Sequence, residues 1–356
     1  MKISLPRSAF LLLAALLAGP ALPASAAEGT AYVSNQKGNV TTIDLATFQT
    51  GVEIDVGGGS PRGLGVTADG RLLVVASRDR GDVALVDLRS GKVVKRVAIG
   101  KNPEFVRVRG DRAFVSFEPA SEGGPPPKPG SKEAQDIRKK REEDKEQPAR
   151  IAVIDLVAGT KIQEIIGGME TEGIEFSADG SRIIVSNEED NNLGVHDIAS
   201  GKLLKTIDTK PYGHRPRGIK ASPDGKLFVA SIEFGNKLVV MDADFKVLRS
   251  VATGDTPYGL AFSRDGSRLY VALAKGKTLQ VFDVARFEPI AEYPIGDRCW
   301  HFSFTPDDKH ILAACGRSNE VVILEAGGKL VKRIPEKLQP WGLVTWPKSF
   351  GSLDTP

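Results

Sequence analysis

The chain has 356 residues, 41% hydrophobic and 26% charged, with 48 Lys and Arg against 45 Asp and Glu. Setting aside Lys2 and Arg7, which fall in the leader described next, 46 basic side chains face 45 acidic ones. So even a balance leaves no overall field to gather nucleic acid or an anionic membrane surface, and neither is expected as a partner, although a local patch stays open.

Residues 1–26 start basic, continue through the apolar run AFLLLAALLAG and end on Ala24-Ser25-Ala26. This is the form of a secretory signal peptide, and the run is too short to span a bilayer. A cleaved leader, a periplasmic or secreted location and a monomer are the expectation. Residues 27–356 are expected to form one domain, because a repeat array closed into a ring can reach that size undivided.

The mature chain opens with AYVSNQKGNVTTIDLATFQTGVEIDVG, which reads as three strands. Seven similar segments then follow: SPRGLGV from Ser60, NPEFVRV from Asn102, ETEGIEF from Glu170, RPRGIKA from Arg215, TPYGLAF from Thr256, RCWHFSF from Arg298 and QPWGLVT from Gln339. Their spacing is about 40 residues, and four short apolar runs lie in each complete unit, which is the signature of a β-propeller. The last unit has only its first strand, and the opening segment lacks one. The expected fold is therefore an all-β seven-bladed propeller of four-stranded antiparallel blades, in which the C-terminal strand joins the N-terminal three and leaves no open edge.

One unit is interrupted by a charged, Pro/Gly-rich insertion at about 118–148. Its triple proline favours an extended lead and its charged run has helix formers without an apolar stripe. It is expected between second and third strands, either as a solvated loop or as a lid or partner-docking arm. Asp69, Asp179, Asp224, Asp265 and Asp307 recur once per unit, four of them as Asp-Gly, and Asp44, Asp87, Asp155, Asp197, Asp242 and Asp283 end third strands. Repetition points to turn chemistry rather than catalysis.

First strands of a propeller line the central channel, so the second residue of each converges on its mouth. Round the ring these are Arg62, Glu104, Glu172, Arg217, Tyr258, Trp300 and Trp341, with His214 expected to overhang them. Convergent charges beside aromatics suit a small-molecule site: arginines can clamp an anion and aromatic rings can stack on a planar ligand. A mutually neutralised plug is the competing reading. His196 reads as structural and His310 as exposed.

Cys299 and Cys315 fall roughly opposite each other on neighbouring strands. A cross-strand disulfide, a pair of free buried thiols and a soft-metal site completed by His301 are all open to such a pair in an exported protein. Motifs for covalent haem, a Gly-x-Ser-x-Gly nucleophile, a His-Glu-x-x-His metal site and a phosphate-binding glycine loop are absent.

The units AYVSNQKGNVTTID, IIVSNEEDNNLGVHD and RLYVALAKGKTLQVFD, with PRGLGVTADGRLLVVAS and PRGIKASPDGKLFVAS, resemble the YVTN-type repeat of bacterial exported seven-bladed propellers. RCWHFSFTPDDKHILAACGRSNEVVIL followed by QPWGLV is similar to the closing blades of propellers associated with PQQ-dependent catabolism, the match resting on Trp300, Ser318-Asn319 and Trp341. The insertion and the loss of Pro-x-Gly at Cys299-Trp300-His301 depart from that pattern. The resemblance is specific for fold and does not choose a chemistry; the expected function is a non-catalytic periplasmic propeller that binds a small ligand or protein partner at the channel face, as an accessory to a PQQ-dependent or other redox pathway. No cofactor is required by the residues, and PQQ or haem enters only through the resemblance. The rivals are a lactonase-type hydrolase, with Glu104 or Glu172 as base or metal ligand and Arg62 or Arg217 holding an anionic substrate, and a carrier of a planar quinone or haem.

Overall fold

The computed structural model describes residues 28–119, 127, 130–143, 147–336 and 338–354. Seven antiparallel four-stranded sheets radiate from a common axis as the blades of a propeller. Blade 1 is composite: Thr30–Asn35, Val40–Asp44 and Thr50–Ile54 take Pro340–Trp346 as their innermost strand. The closing pair runs antiparallel with Tyr32 opposite Val344 and Val33 opposite Leu343. Blades 2 to 7 follow in chain order, with innermost strands Pro61–Val66, Val106–Arg109, Thr171–Phe176, Pro216–Ala221, Pro257–Phe262 and Cys299–Phe304.

Burial follows distance from the axis. The second strand Arg182–Asn187 is buried over five of its six residues, whereas the outermost Leu203–Asp208 is exposed at five of six. Inner strands are covered on both faces by neighbouring blades, and the apolar runs IIVS, FVAS and LYVA fill the space between sheets. Five of the seven outermost strands carry lysine or arginine, which discourages pairing with a second molecule.

Two backbone features set the geometry at the axis. A residue leading into each innermost strand is left-handed: Ser60 (φ 55°), Asn102 (48°), Glu170 (53°), Arg215 (62°), Thr256 (63°), Arg298 (52°) and Gln339 (61°). None is a glycine, so a conformation uncommon for such residues repeats at the same point of every blade and swings the chain inward from the previous outer strand. At the third position of the innermost strand, Gly218 and Gly259 let adjacent blades touch: a Cβ there would lie 2.5 Å from the Tyr258 carbonyl oxygen and 2.4 Å from that of Trp300. Blades 3 and 7 carry Phe105 and His301 instead, and these fill the axis.

The insertion leaves between the second and third strands of blade 3 and contains the helix Lys132–Glu143. Among the described residues no helix is long and apolar enough to cross a membrane. The leader, residues 1–26, lies outside the described residues. After the closing strand, Ser349–Asp354 turns back beneath the axis: Gly351 bridges Ser303, and the Ser352 amide donates to the Phe302 carbonyl at 2.9 Å.

Candidate functional site

All seven second-position side chains line one cavity of about 160 Å³ on the face where second-to-third and fourth-to-first connections emerge. The mouth divides into two arcs. Arg62, Glu104, Glu172 and Arg217 come from blades 2 to 5, and Tyr258, Trp300 and Trp341 from blades 6, 7 and 1. Cation–π contacts join the arcs at both seams, with the Arg62 guanidinium 6.0 Å from the Trp341 ring centroid and that of Arg217 4.8 Å from the Tyr258 ring. Trp341 and Tyr258 are buried, so among the aromatics it is the half-buried Trp300 that offers a free ring surface.

A second tier was missed by sequence reasoning. Gln36, Arg78, Glu118 and Glu188 follow the last residue of second strands, Glu170 and Arg215 precede first strands, and all six line the cavity. The signal was periodic: the post-second-strand position reads Gln36, Arg78, Glu118, Glu188, Glu233, Ala274 and Gly316 round the ring. Charge fills this tier over the polar arc, whereas the aromatic arc carries the uncharged Ala274, Gly316 and Gln36. Gly316 is small because Trp300 lies on it; a Cβ there would fall 1.9 Å from Trp300 Cζ3.

The polar arc is a network of ion pairs. Arg217 Nη1 meets Glu172 at 2.7 Å and Glu188, and its Nε meets Glu233 at 2.7 Å. Arg215 binds Glu170 at 2.7 Å, Glu188, and Glu233 at 3.4 Å. Glu172 also accepts from the Tyr258 hydroxyl at 2.9 Å. Burial alone would push Glu172 up, but Arg217, Arg62 and Arg215 outweigh it and hold the carboxyl at about 2. Glu104 differs. Its Oε1 pairs with Arg62 and lies 3.8 Å from Arg78 Nε, whereas Oε2 is buried and makes no hydrogen bond. Burial and the neighbouring Glu172 charge raise its proton affinity above the ordinary carboxyl range, despite Arg62 pulling the other way. Two carboxylates one blade apart are thus driven in opposite directions.

Serines on the second strands staple this arrangement from blade to blade. Ser34 Oγ donates to the Arg62 carbonyl at 2.6 Å, Ser231 Oγ to that of Tyr258 at 2.6 Å, and Ser186 Oγ to that of Arg217 at 2.5 Å. Each one fixes the backbone of a cavity residue on the following blade.

The other expectations divide, some corrected and some met. His214 does not line the cavity; it is exposed at the rim, with Nδ1 3.1 Å from Asn191 Oδ1. Cys299 and Cys315 are register partners joined in a disulfide, so neither sulfur is available to a metal. His301 was expected on the face of Cys299, but the ladder shifts between them and turns the imidazole to the axis, 4.5 Å from the Trp341 ring and 3.0 Å from Ser352 Oγ. No group of three or more metal-holding side chains occurs among the described residues. His310 is half-buried, its ring 4.9 Å from that of Phe48, rather than exposed. His196 is buried on its strand, as expected. The recurrent aspartates cap turns: Asp69, Asp179, Asp224, Asp265 and Asp307 each accept from a Ser or Thr hydroxyl two residues earlier, at 2.5 or 2.6 Å.

Beneath the mouth, a further tier is formed by Arg107, Glu175, Lys220 and Ser303. The tail closes it: Arg107 Nη1 donates to the Asp354 carbonyl at 2.9 Å, Lys220 donates to the same oxygen, and Ser303 Oγ donates to the Asp354 carboxylate at 2.7 Å. Burial, reinforced by Arg107, lowers Lys220 to about 7. Burial likewise holds the His301 imidazole at about 3, so it is neutral at neutral pH.

Residues 161–249 match the model of a family described as lactonase, 7-bladed beta-propeller. No curated protein sequence matches the chain. Among solved structures, the Pseudomonas aeruginosa periplasmic gluconolactonase is 17% identical, with a TM-score of 0.70 over 89% of this chain and 98% of its own. A putative 6-phosphogluconolactonase from Bacteroides fragilis is 17% identical, with a TM-score of 0.69 over 92% and 99%. Kuenenia stuttgartiensis hydrazine synthase is 20% identical, with a TM-score of 0.68 over 90% and 100%. At these identities the structures share the fold, which does not by itself select a chemistry. The family match, which covers blades 4 and 5 with Glu172, Glu188, Arg215 and Arg217, overturns the expectation of a non-catalytic binder accessory to a redox pathway and favours the hydrolase.

Proposed function

We propose that the protein is a lactone hydrolase whose reaction centre is the channel mouth, with Glu104 as general base. The observation that carries this reading is the state of Glu104: one carboxylate oxygen held by arginines, the other buried and unbonded, and a proton affinity raised by burial. A general base works best when its pKa approaches the working pH, and Glu172, held at about 2, is too weak a base for the role. The lactonase family match and the gluconolactonase neighbours support the same chemistry.

In this reading Glu104 Oε2 takes a proton from a water as its oxygen bonds to the lactone carbonyl carbon. Arg62 and Arg78 stabilise the charge that develops on the carbonyl oxygen. The ring C–O bond then breaks, and the departing alkoxide takes the proton back from Glu104, giving a hydroxy acid. A cavity of about 160 Å³ suits one six-membered ring, since an engineered cavity of roughly 150 Å³ accepts benzene. The Trp300 face supports the ring. The resemblance to exported YVTN-type propellers and the periplasmic neighbour support a periplasmic site of action.

The test is hydrolysis of δ- and γ-lactones by the purified protein, followed by proton release above the spontaneous rate. Glu104→Gln is expected to lower kcat by roughly 10²-fold or more while leaving thermal unfolding cooperative. Wild-type protein with no rate above buffer, or a folded Glu104→Gln protein with full activity, would overturn the proposal.

A further inference from the structure

The repeat is broken at the seam where the ring closes. The Glu336 amide donates to the Asn319 carbonyl, as the amides of Ile99, Gly167, Thr209, Thr253 and Ile295 do to the corresponding carbonyls of their own blades. A carboxylate thus stands where those blades place an uncharged residue. It is only 5% exposed and packs onto blade 1, where Thr41 Oγ1 donates to Glu336 Oε1 at 3.2 Å and accepts from Asn35 Nδ2 at 3.2 Å. Thr41 is itself a departure, since the third strands of blades 2, 3, 4, 5 and 7 carry Ala84, Ala152, Gly194, Val239 and Val322 at that place. Blade 6 has Gln280 there, and its neutral Oε1 accepts from the Gly254 amide at 3.0 Å.

Among the described residues nothing compensates a charge on Glu336. From blade 1 it meets the neutral Asn35 and Thr41, and the charge that acts on it is the like one of Glu53 on the outermost strand. On blade 7, Arg333 is engaged by Glu320 at 2.7 Å, and Lys37 of the adjoining connection is exposed. Lys337 lies outside the described residues. Burial and Glu53 therefore raise the proton affinity of Glu336 against the pull of the Thr41 bond. A buried carboxylate without a cation is costly, whereas the protonated acid is tolerated.

The position matters for the whole ring. Glu336 opens the segment leading to the closing strand, and the Leu338 and Gln339 carbonyls accept from the Lys37 and Gln36 amides at 3.0 Å each. We propose that Asn35, Thr41 and Glu336 form a proton-controlled clasp, which holds the seam between blades 7 and 1 when Glu336 is protonated and loosens it when Glu336 ionises. Loosening reaches the channel mouth through Trp341, on the strand that the segment leads into. The sign is opposite to that of Glu172: the clasp contributes its stability in full below the ordinary 4.5 and loses it as pH rises through the higher folded value.

The experiment compares urea unfolding of the full-length wild type and Glu336→Gln at about pH 4 and about pH 8, glutamine standing for the permanently protonated acid. Equal stability is expected at the lower pH, and at the higher an unfolding constant roughly threefold or more below that of wild type. Hydrogen exchange of residues 30–44 and 338–346, corrected for its intrinsic pH dependence, is expected to quicken with pH in wild type and not in the variant. Thr41→Val removes the donor to Glu336 and is expected to steepen the loss of stability with pH; it carries the test if Glu336→Gln does not fold. A Glu336→Gln protein no more stable than wild type at the higher pH would overturn the clasp. Wild-type seam exchange that is the same at both pH values, or a Thr41→Val protein whose stability runs parallel to wild type across pH, would overturn it as well.

Discussion

Glu104 and Glu172 sit at the same position of adjacent blades, and their different surroundings separate their roles. Burial, with Glu172 adding to it, raises Glu104, so as a base it becomes competent only above the ordinary glutamate range. The pH profile of kcat/KM is therefore expected to rise with pH along an acid limb displaced upward from the ordinary 4.5, and Glu104→Gln removes that limb together with the activity. Glu172 behaves oppositely. Its folded value of about 2 lies below the ordinary 4.5, so its ion pairs contribute stability in full above roughly pH 5 and lose it progressively as pH falls towards 2. Urea unfolding of Glu172→Gln between pH 7 and 2.5 is expected to show a lower plateau at neutral pH and a shallower acid decline than wild type. Parallel curves would deny Glu172 this role. The identities of these carboxylates were legible in the sequence as second-position residues of the repeat. Their protonation was not, because it depends on arginines contributed by other blades.

At the scale of the strand, the site is held by contacts between blades rather than within them. The Ser231 hydroxyl, bonded to the Tyr258 carbonyl, belongs to the second strand of blade 5 and fixes the first strand of blade 6. Ser231→Ala is expected to cost about 1 kcal/mol of unfolding free energy. Gly218→Ala adds a methyl group 2.5 Å from the same carbonyl, and forcing the blades apart is expected to cost about 1–3 kcal/mol and to displace Tyr258. Denaturant melts together with lactone turnover check both, and an unaffected Gly218→Ala protein would show that the blades can separate freely. The repeat made these strands recognisable. What a serine or glycine touches on the next blade was invisible in a single unit, as was the ladder shift that parts His301 from Cys299.

For the whole molecule, ring closure is the decisive event. The strand Pro340–Trp346 is the innermost member of blade 1 and lines the cavity through Trp341, and the segment after it folds beneath the axis onto Arg107, Lys220 and Ser303. Ending the chain before Gln339 leaves blade 1 without its axial strand and exposes its edge, so the truncated protein is expected to lose its single cooperative thermal transition and to aggregate. A truncated protein that melts like the full chain would show that closure is dispensable.

The sequence by itself determined the architecture. Seven first strands, turn aspartates once per unit and a beginning that lacks the strand its end supplies can be satisfied together only by a closed ring, because one four-stranded sheet cannot bury both of its apolar faces. It also determined which seven side chains meet at the mouth, since position within the repeat sets distance from the axis. Only the tertiary structure decided how those side chains are paired, that a second tier of Arg78, Glu188, Arg215 and Glu233 engages them, and that Glu104 keeps a buried oxygen unbonded. The reason is physical: a repeat specifies what each blade presents, but the ion pairs between blades join residues 27 to 45 positions apart whose side chains meet only when the blades pack, and the contact of Arg62 with Trp341 forms only when the ring closes.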